Sequence, residues 1–381
     1  MVQERQIRLR VLLVVASFAA IALVLSGCSR GEGNEPGETS ERLENNTINA
    51  GVWSVLMNDG FGKTDNAAIR SIIDYRGTIY AGTENSKDGC EIWAYNGNDW
   101  ISIREGGLGD KNNSAVRAME VYNDRLYVGT TNTVDGAQVL SFDGSSWDQV
   151  NSNGFNGPGN TSVQGMAVMG NNLIAGTQND ADGCEVWSYD GNSWSQIQGG
   201  GFGNKNNTAA QGMVLQGSEL FVGLQNHQNG AQIWAYDGSN WTSVGNGGLG
   251  NAQNTDVYAM AIYQNSVHAV LSNKASGAEV FFYDGTKWNA ASQQGFGEKA
   301  DTEAYGLASY GASLFVGAGN DINGCEVWEF TEGGWGQIVD NGFGDSNNIQ
   351  CYALLVDSLI LYAGTGNQQT GGQVWGYGLP Q

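Results

Sequence analysis

GFNGPGNTSVQGMAVMGNNLIAGTQNDADGCEVWSYDGNSWSQIQGG, residues 154–200, sets short apolar runs between turn residues and shows no sustained 3.6-residue apolar period. It reads as four strands. Val163 to Val168 is the first, Asn171-Asn172 makes a turn, and Leu173 to Thr177 is the second. Asp182-Gly183 precedes the third, Cys184 to Tyr189. Asp190-Gly191 then supplies the positive-φ positions that a tight hairpin needs before the fourth, Ser193 to Ile197.

The same unit of 47 residues starts at Gly60, Gly107, Gly154, Gly201, Gly248, Gly295 and Gly342 with no insertion or deletion, so seven copies follow one another. Positions below are offsets from that glycine, counted as zero. A sustained period overrides the two or three domains that 381 residues would suggest, because stacked repeats share one architecture. Four antiparallel strands per copy make one propeller blade. The expected fold is therefore all-β, a seven-bladed β-propeller over residues 51–381. The last copy ends at Gln381, offset 39, just before the outer strand that begins at offset 40. Counted back seven periods, offset 40 falls on Trp53, matching Trp100, Trp147, Trp194, Trp241, Trp288 and Trp335. Gly51 to Asn58 is expected to be the missing outer strand, closing the ring and leaving no unpaired edge.

Leu126-Tyr127-Val128-Gly129, an apolar strand, the turn Phe142-Asp143-Gly144 and Trp147 together resemble kelch-type propeller repeats, with Gly-Thr in place of the kelch double glycine. Ser188-Tyr189-Asp190-Gly191-Asn192-Ser193-Trp194 resembles the Asp-box hairpins of sialidase-like propellers, one residue shorter. The resemblance spans residues 51–381 and implies architecture only, since both families contain enzymes and binding modules.

Arg5, Arg8 and Arg10 precede the apolar run Val11 to Leu25, which is too short to span a bilayer comfortably. Leu25-Ser26-Gly27-Cys28 resembles the lipobox of prokaryotic lipoproteins, which implies cleavage of residues 1–27 and lipidation of Cys28. Residues 28–50 are polar and read as a disordered tether that holds the domain outside the cytoplasm, clear of a membrane reached only through the lipid. Without residues 1–27 the 17 basic and 39 acidic residues fall to 14 and 38, a formal charge of −24. Such a surface repels phosphate backbones, so nucleic acid is not expected as a partner.

Most recurrent residues are explained by the repeat. All 12 tryptophans sit at offset 40 or offset 33, the latter Trp93, Trp187, Trp234, Trp328 and Trp375, and read as inter-blade packing. Offset 25 is always Asn and offset 29 always Gly, as a tight loop with side chain to backbone bonds requires. Offset 31 swaps Glu (91, 185, 279, 326) for Gln (138, 232, 373), which a metal or a general acid would not tolerate. It is expected to bond backbone N–H groups of neighbouring Gly-Phe-Gly loops. Cys90, Cys184 and Cys325 share offset 30, too far apart around a ring to pair, and read as buried thiols. His268 falls where other copies have Tyr80, Tyr127 and Phe221, a packing position. No metal site or cofactor is expected; the Asn/Asp-rich loops lack calcium-loop spacing.

A position forced by the fold is filled alike in each copy, whereas a site for one ligand need not be. Offset 10 reads Arg70, Arg117, Gln164, Gln211, Tyr258, Tyr305, Tyr352 around the ring, on the strand that lines a propeller's channel. Offset 8 is expected to share its facing by strand alternation, bringing in Asp256 and Glu303. The mouth would be cationic on one side, and acidic and aromatic on the other. Such a set suits a polar, carboxylated or glycosidic ligand, or else fills the channel and satisfies itself. The expectation is a monomeric, non-catalytic propeller binding a protein, a glycan or a small polar ligand at the mouth. One alternative is a hydrolase or lyase resembling sialidases, in which Arg70 and Arg117 hold a carboxylate, Asp256 or Glu303 moves the proton and a Tyr attacks; it lacks the third arginine of such sites. The other is a scaffolding lipoprotein.

Overall fold

The computed structural model describes residues 48–380. Signal peptide, Cys28 and most of the tether fall on residues outside that range. In the third repeat Ser162–Met169 pairs antiparallel with Asn172–Gln178, that strand with Val186–Tyr189, and that with Trp194–Gln198. The third strand starts two residues later than expected. The Cys184 N–H is drawn to Asn207 O, 2.8 Å away in the next repeat's opening loop, and the Glu185 N–H to Thr177 Oγ1 at 3.0 Å. The same succession of pairings recurs along the chain, giving an all-β propeller.

In the last repeat only Gln350–Asp357, Ile360–Gly366 and Val374–Gly378 come from the chain's end, and Trp53–Met57 pairs with the third of these through Trp53↔Tyr377 and Val55↔Trp375. Packing begins before Gly51. Ile48 lies against the cluster containing Leu56, Ile72 and Tyr95, and Gly51 N donates to Gly378 O at 2.8 Å. An apolar side chain with a place in the core thus pulls the end of the assigned tether onto the domain.

Each apolar cluster is shared by two successive repeats, except the one around Leu56 and Ile72, which brings Ala353, Tyr362 and Val374 of the last repeat against the first. Tyr122, Tyr127 and Val139 meet Phe155, Leu173 and Trp187 in one such cluster. The rings that join them stand on a strained turn: Phe155 has φ 64°, in the left-handed region that bulky residues avoid. Its ring stacks on Trp187 and meets Trp194 edge-on, both at 5.0 Å, contacts that hold the turn in place. Close approach also explains the invariant Gly at offset 29: a Cβ on Gly183 would lie 2.6 Å from Gly201 N. Four of the tryptophans at offset 40, Trp100, Trp194, Trp241 and Trp335, donate to a carbonyl 44 residues earlier, as Trp194 Nε1 does to Val150 O at 3.0 Å.

Candidate functional site

The first strand of every repeat is interrupted at offset 10, and that of the sixth also between Asp301 and Glu303. Val163 faces Thr177 and Gly165 faces Gly176, so Gln164 between them has no cross-strand partner. Arg70, Arg117, Tyr258, Tyr305 and Tyr352 are skipped in the same way, and Gln211 lies within a longer irregularity between Ala210 and Met213. This is a β-bulge, a device that bends a strand and re-aims a side chain. The seven side chains it frees converge on one cavity of about 70 Å³, lined by Arg70, Arg117, Gln164, Gln211, Tyr258, Tyr305 and Tyr352.

Asp256 and Glu303 are not among the lining residues. The expected shared facing fails because strict alternation does not survive a bulge. Offset 8 pairs instead with offset 24, as in Asp256↔Ser272 and Glu303↔Gly319. Both carboxylates are occupied. Asp256, almost fully buried, accepts from Gln225 Nε2, from Thr255 Oγ1 at 2.7 Å and pairs with His227 Nε2 at 3.1 Å. Burial pushes its pKa up, but the bonds from His227, Gln225 and Thr255 outweigh this and hold it below the usual range. Glu303 accepts from Tyr305 Oη at 2.5 Å and lies 3.3 Å from Lys274 Nζ.

Glu84, at offset 24, is not a lining residue either, but it pairs with one, Arg70, and it escaped the sequence reading. Arg70 Nε donates to its carboxylate, and the Arg70 guanidinium lies 3.6 Å from the centre of the Tyr352 ring. Burial works against the Glu84 charge, yet Arg70 and then Arg117 pull its pKa below the ordinary value. The signal was present: offset 24 reads Glu84, Thr131, Gln178, Gln225, Ser272, Gly319, Gly366, as asymmetric as offset 10. The two offsets are also complementary in size. A Cβ on Gly366 would lie 2.6 Å from the Tyr352 ring, and one on Gly319 3.1 Å from that of Tyr305, so glycine at offset 24 makes room for tyrosine at offset 10. Tyr305 packs at 4.7 Å from Tyr258 and 4.6 Å from Tyr352, centre to centre. Burial pushes the phenols of Tyr258 and Tyr305 far up, helped by Asp256 and Glu303 against Arg117 and Arg70 at Tyr258, and by Tyr258, Tyr352 and Glu303 at Tyr305, so both remain donors.

Arg117 has a different environment. Its Nε is buried with no acceptor, and the Gln211 Oε1 is buried with no donor. Burial, then the charge of Arg70, lowers the Arg117 pKa, although Glu84 acts in the other direction. One carboxylate, Glu84, thus stands beside two guanidinium groups.

Elsewhere the loop residues bond one another. Asn85 Oδ1 accepts from Lys87 N and Asp88 N, closing the tight loop foreseen for offset 25. The Glu or Gln at offset 31 does not bond loop backbone N–H groups. Glu185 accepts instead from Asn160 Nδ2 at 2.6 Å and Trp187 Nε1 at 2.9 Å, and Gln373 likewise from Asn348 and Trp375. The donor was overlooked at offset 6, which is Asn in every copy except Asp301. His268 packs edge-on against Tyr263 at 5.3 Å, and burial lowers its pKa. Cys90, Cys184, Cys325 and Cys351 are buried, which pushes their thiols up. Among the described residues no group of three or more His, Cys, Asp or Glu side chains is placed to hold a metal ion. No helix among them is long and apolar enough to cross a membrane.

No family model and no curated protein matches the chain. Solved structures do. The RRP9 WD40 repeats align with 87% of this chain and 99% of their own at a TM-score of 0.57 and 12% identity. The WD40 β-propeller domain of Doa1 aligns with 87% of this chain and 97% of its own at 0.55 and 9% identity. A chain of the mitotic checkpoint complex covers 83% of this chain and 96% of its own at 0.54 and 14% identity. At such identities the likeness establishes the propeller fold and nothing of activity.

Proposed function

We propose that this chain is a lipid-anchored, non-catalytic propeller of seven four-stranded blades, closed by its N-terminal outer strand, that binds a polar ligand, a glycan or a protein at its channel mouth. The kelch-like and Asp-box-like resemblance supports the blade reading, and the Arg-rich start, apolar run and Cys28 support anchoring outside the cytoplasm. One observation carries the binding reading. Offsets 10 and 24 lose the repeat's symmetry together, and the offset-10 side chains meet in a single cavity. Residues needed only to fill a channel have no reason to segregate into two arginines, two glutamines and three tyrosines.

The enzymatic alternative is less well supported, because the oxygens of Asp256 are taken by Gln225, Thr255 and His227, and Glu303 is tied to Tyr305 and Lys274. The test uses the full chain in detergent micelles on glycan, carboxylate and peptide arrays, beside Tyr305→Ala. Retention that drops at least tenfold in the variant, measured well below the variant's own Tm, is expected; arrays that never distinguish the two proteins sink the reading. Turnover of a chromogenic glycoside, lost in Glu303→Gln, would establish the enzyme instead. In cells, Cys28→Ala should leave the membrane fraction.

A further inference from the structure

Arg117 is out of balance with its surroundings. In a chain with a net charge of −22, carboxylates are abundant, yet none is placed to receive this guanidinium: no ion pair at the mouth uses it, and Nε is buried without an acceptor. The nearby acid, Glu84, is already committed to Arg70. A buried donor with no partner costs free energy that a folded protein ordinarily avoids. A function that needs an open guanidinium gives a reason for such an arrangement.

We propose that Arg117 anchors a site for one carboxylate group, with Gln211 and the phenol of Tyr258 as further donors. The inference rests on the channel-mouth reading above and narrows its ligand. A planar guanidinium offers paired N–H groups in the geometry of a carboxylate's two oxygens. Gln211 lines the same cavity and its amide carries an NH₂ that can donate to a carboxylate oxygen, while its Oε1 has no donor. Tyr258 stays protonated for the reasons given above and lines the same cavity. The cavity is small, about 70 Å³, and donors from two arginines, two glutamines and three tyrosines crowd it, which suits a compact anionic group. The recognised group is a carboxylate, either that of a free small acid or the carboxyl terminus of a peptide.

The experiment measures the Tm of the full chain in detergent micelles against sodium acetate, with sodium chloride at equal ionic strength and the neutral isostere acetamide as references. Acetate alone should raise Tm with a saturable dependence. Arg117→Gln should weaken that response about ten- to hundredfold, the usual effect of losing a charge-assisted hydrogen-bonded partner. Arg104→Gln, remote from the cavity, should keep it. Unliganded Arg117→Gln should melt no lower than the parent, since it removes a buried donor that has no acceptor; a lower Tm together with no acetate response in the parent would make Arg117 a channel plug and overturn the site. Acetate stabilisation that survives Arg117→Gln, or is matched by acetamide, overturns it as well. A short peptide that competes with acetate only while its carboxyl terminus is free assigns the peptide source, and competition by the amidated peptide contradicts the assignment. A ligand from the arrays that lacks a carboxylate, needs Tyr305 and ignores Arg117→Gln overturns this inference while leaving the binding reading in place.

Discussion

At the scale of single residues, the most informative position is one where the repeat contradicts itself. Asn at offset 6 donates to the loop carbonyl at offset 0 and to the Glu or Gln at offset 31, as Asn207 does to Gly201 O and Gln232 Oε1. In the sixth repeat Asp301 stands there, fully buried, opposite Glu326. A carboxylate has no proton to give. Trp328 Nε1 turns to Asp301 Oδ2, Asn320 donates to both acids, and Glu326 Oε2 is buried with no partner. Burial, then the charge of Asp301, pushes the Glu326 carboxyl up to about 8, with Glu298 adding to the rise and Gln337 opposing it. A proton held between the two acids replaces the missing amide hydrogen. Because the folded-state pKa exceeds the unfolded one, the folded protein binds the extra proton between pH 4.5 and about 8, and stability falls as pH rises through that window. Asp301→Asn should therefore melt close to the parent at pH 5 and above it at pH 9, by roughly 2–4 °C. The mirror substitution, Asn160→Asp beside Glu185, should introduce the same alkaline loss. Melting curves of the three proteins from pH 5 to 9 decide it; parallel pH profiles would show that the Asp301–Glu326 pair holds no such proton.

At the scale of strands, the sequence and the structure part company at the bulge. Alternation, Asn-Asn and Asp-Gly turns and the 47-residue period locate strands to within about two residues, because those signals come from local backbone chemistry. The convergence of offset 10 was equally legible, since it needs only that the first strand face the channel. The placement of Asp256 and Glu303 was not. A bulge leaves no fixed residue type at its extra position, here filled by Arg, Gln or Tyr, so period-2 logic ran straight through it. The offset 6 to offset 31 bond was missed for a related reason. Its donor and acceptor lie 25 residues apart on a loop and a later strand, and only their joint recurrence marks them as partners. The size exchange between offsets 10 and 24 supplies a graded test. Gly366→Ala places a methyl 2.6 Å from the Tyr352 ring, and should cost about 1–3 kcal/mol as overpacking while displacing the ring on which Arg70 rests. Gly319→Ala, with 3.1 Å to Tyr305, should cost less. Chemical denaturation ranks the two, and equal costs would argue that the tyrosines move freely.

At the scale of the molecule, the two ends of the described chain depend on each other. Trp53–Met57 is paired to Val374–Gly378, and Trp53 packs 5.0 Å from Phe343 and 5.1 Å from Tyr377, contacts that the repeats in between make within continuous chain. Leu56 is the buried anchor of this strand, in one cluster with Ile69, Ile72, Tyr95 and Tyr362. An open array of repeats melts from its ends, because each unit contacts only its neighbours. If the terminal pairing joins the array into a ring, there is no end from which to melt. Leu56→Ala should then lower stability by about 2–5 kcal/mol, the usual cost of a buried leucine truncation, and lower it equally for every part of the molecule. The measurement is urea unfolding followed by amide hydrogen exchange in the strand Asn172–Gln178, across the molecule, and in Val374–Gly378, beside the change. Equal loss of protection in both strands is the expected result. Loss confined to Val374–Gly378 would mean that the terminal strand patches one repeat and that the remaining six hold together without it.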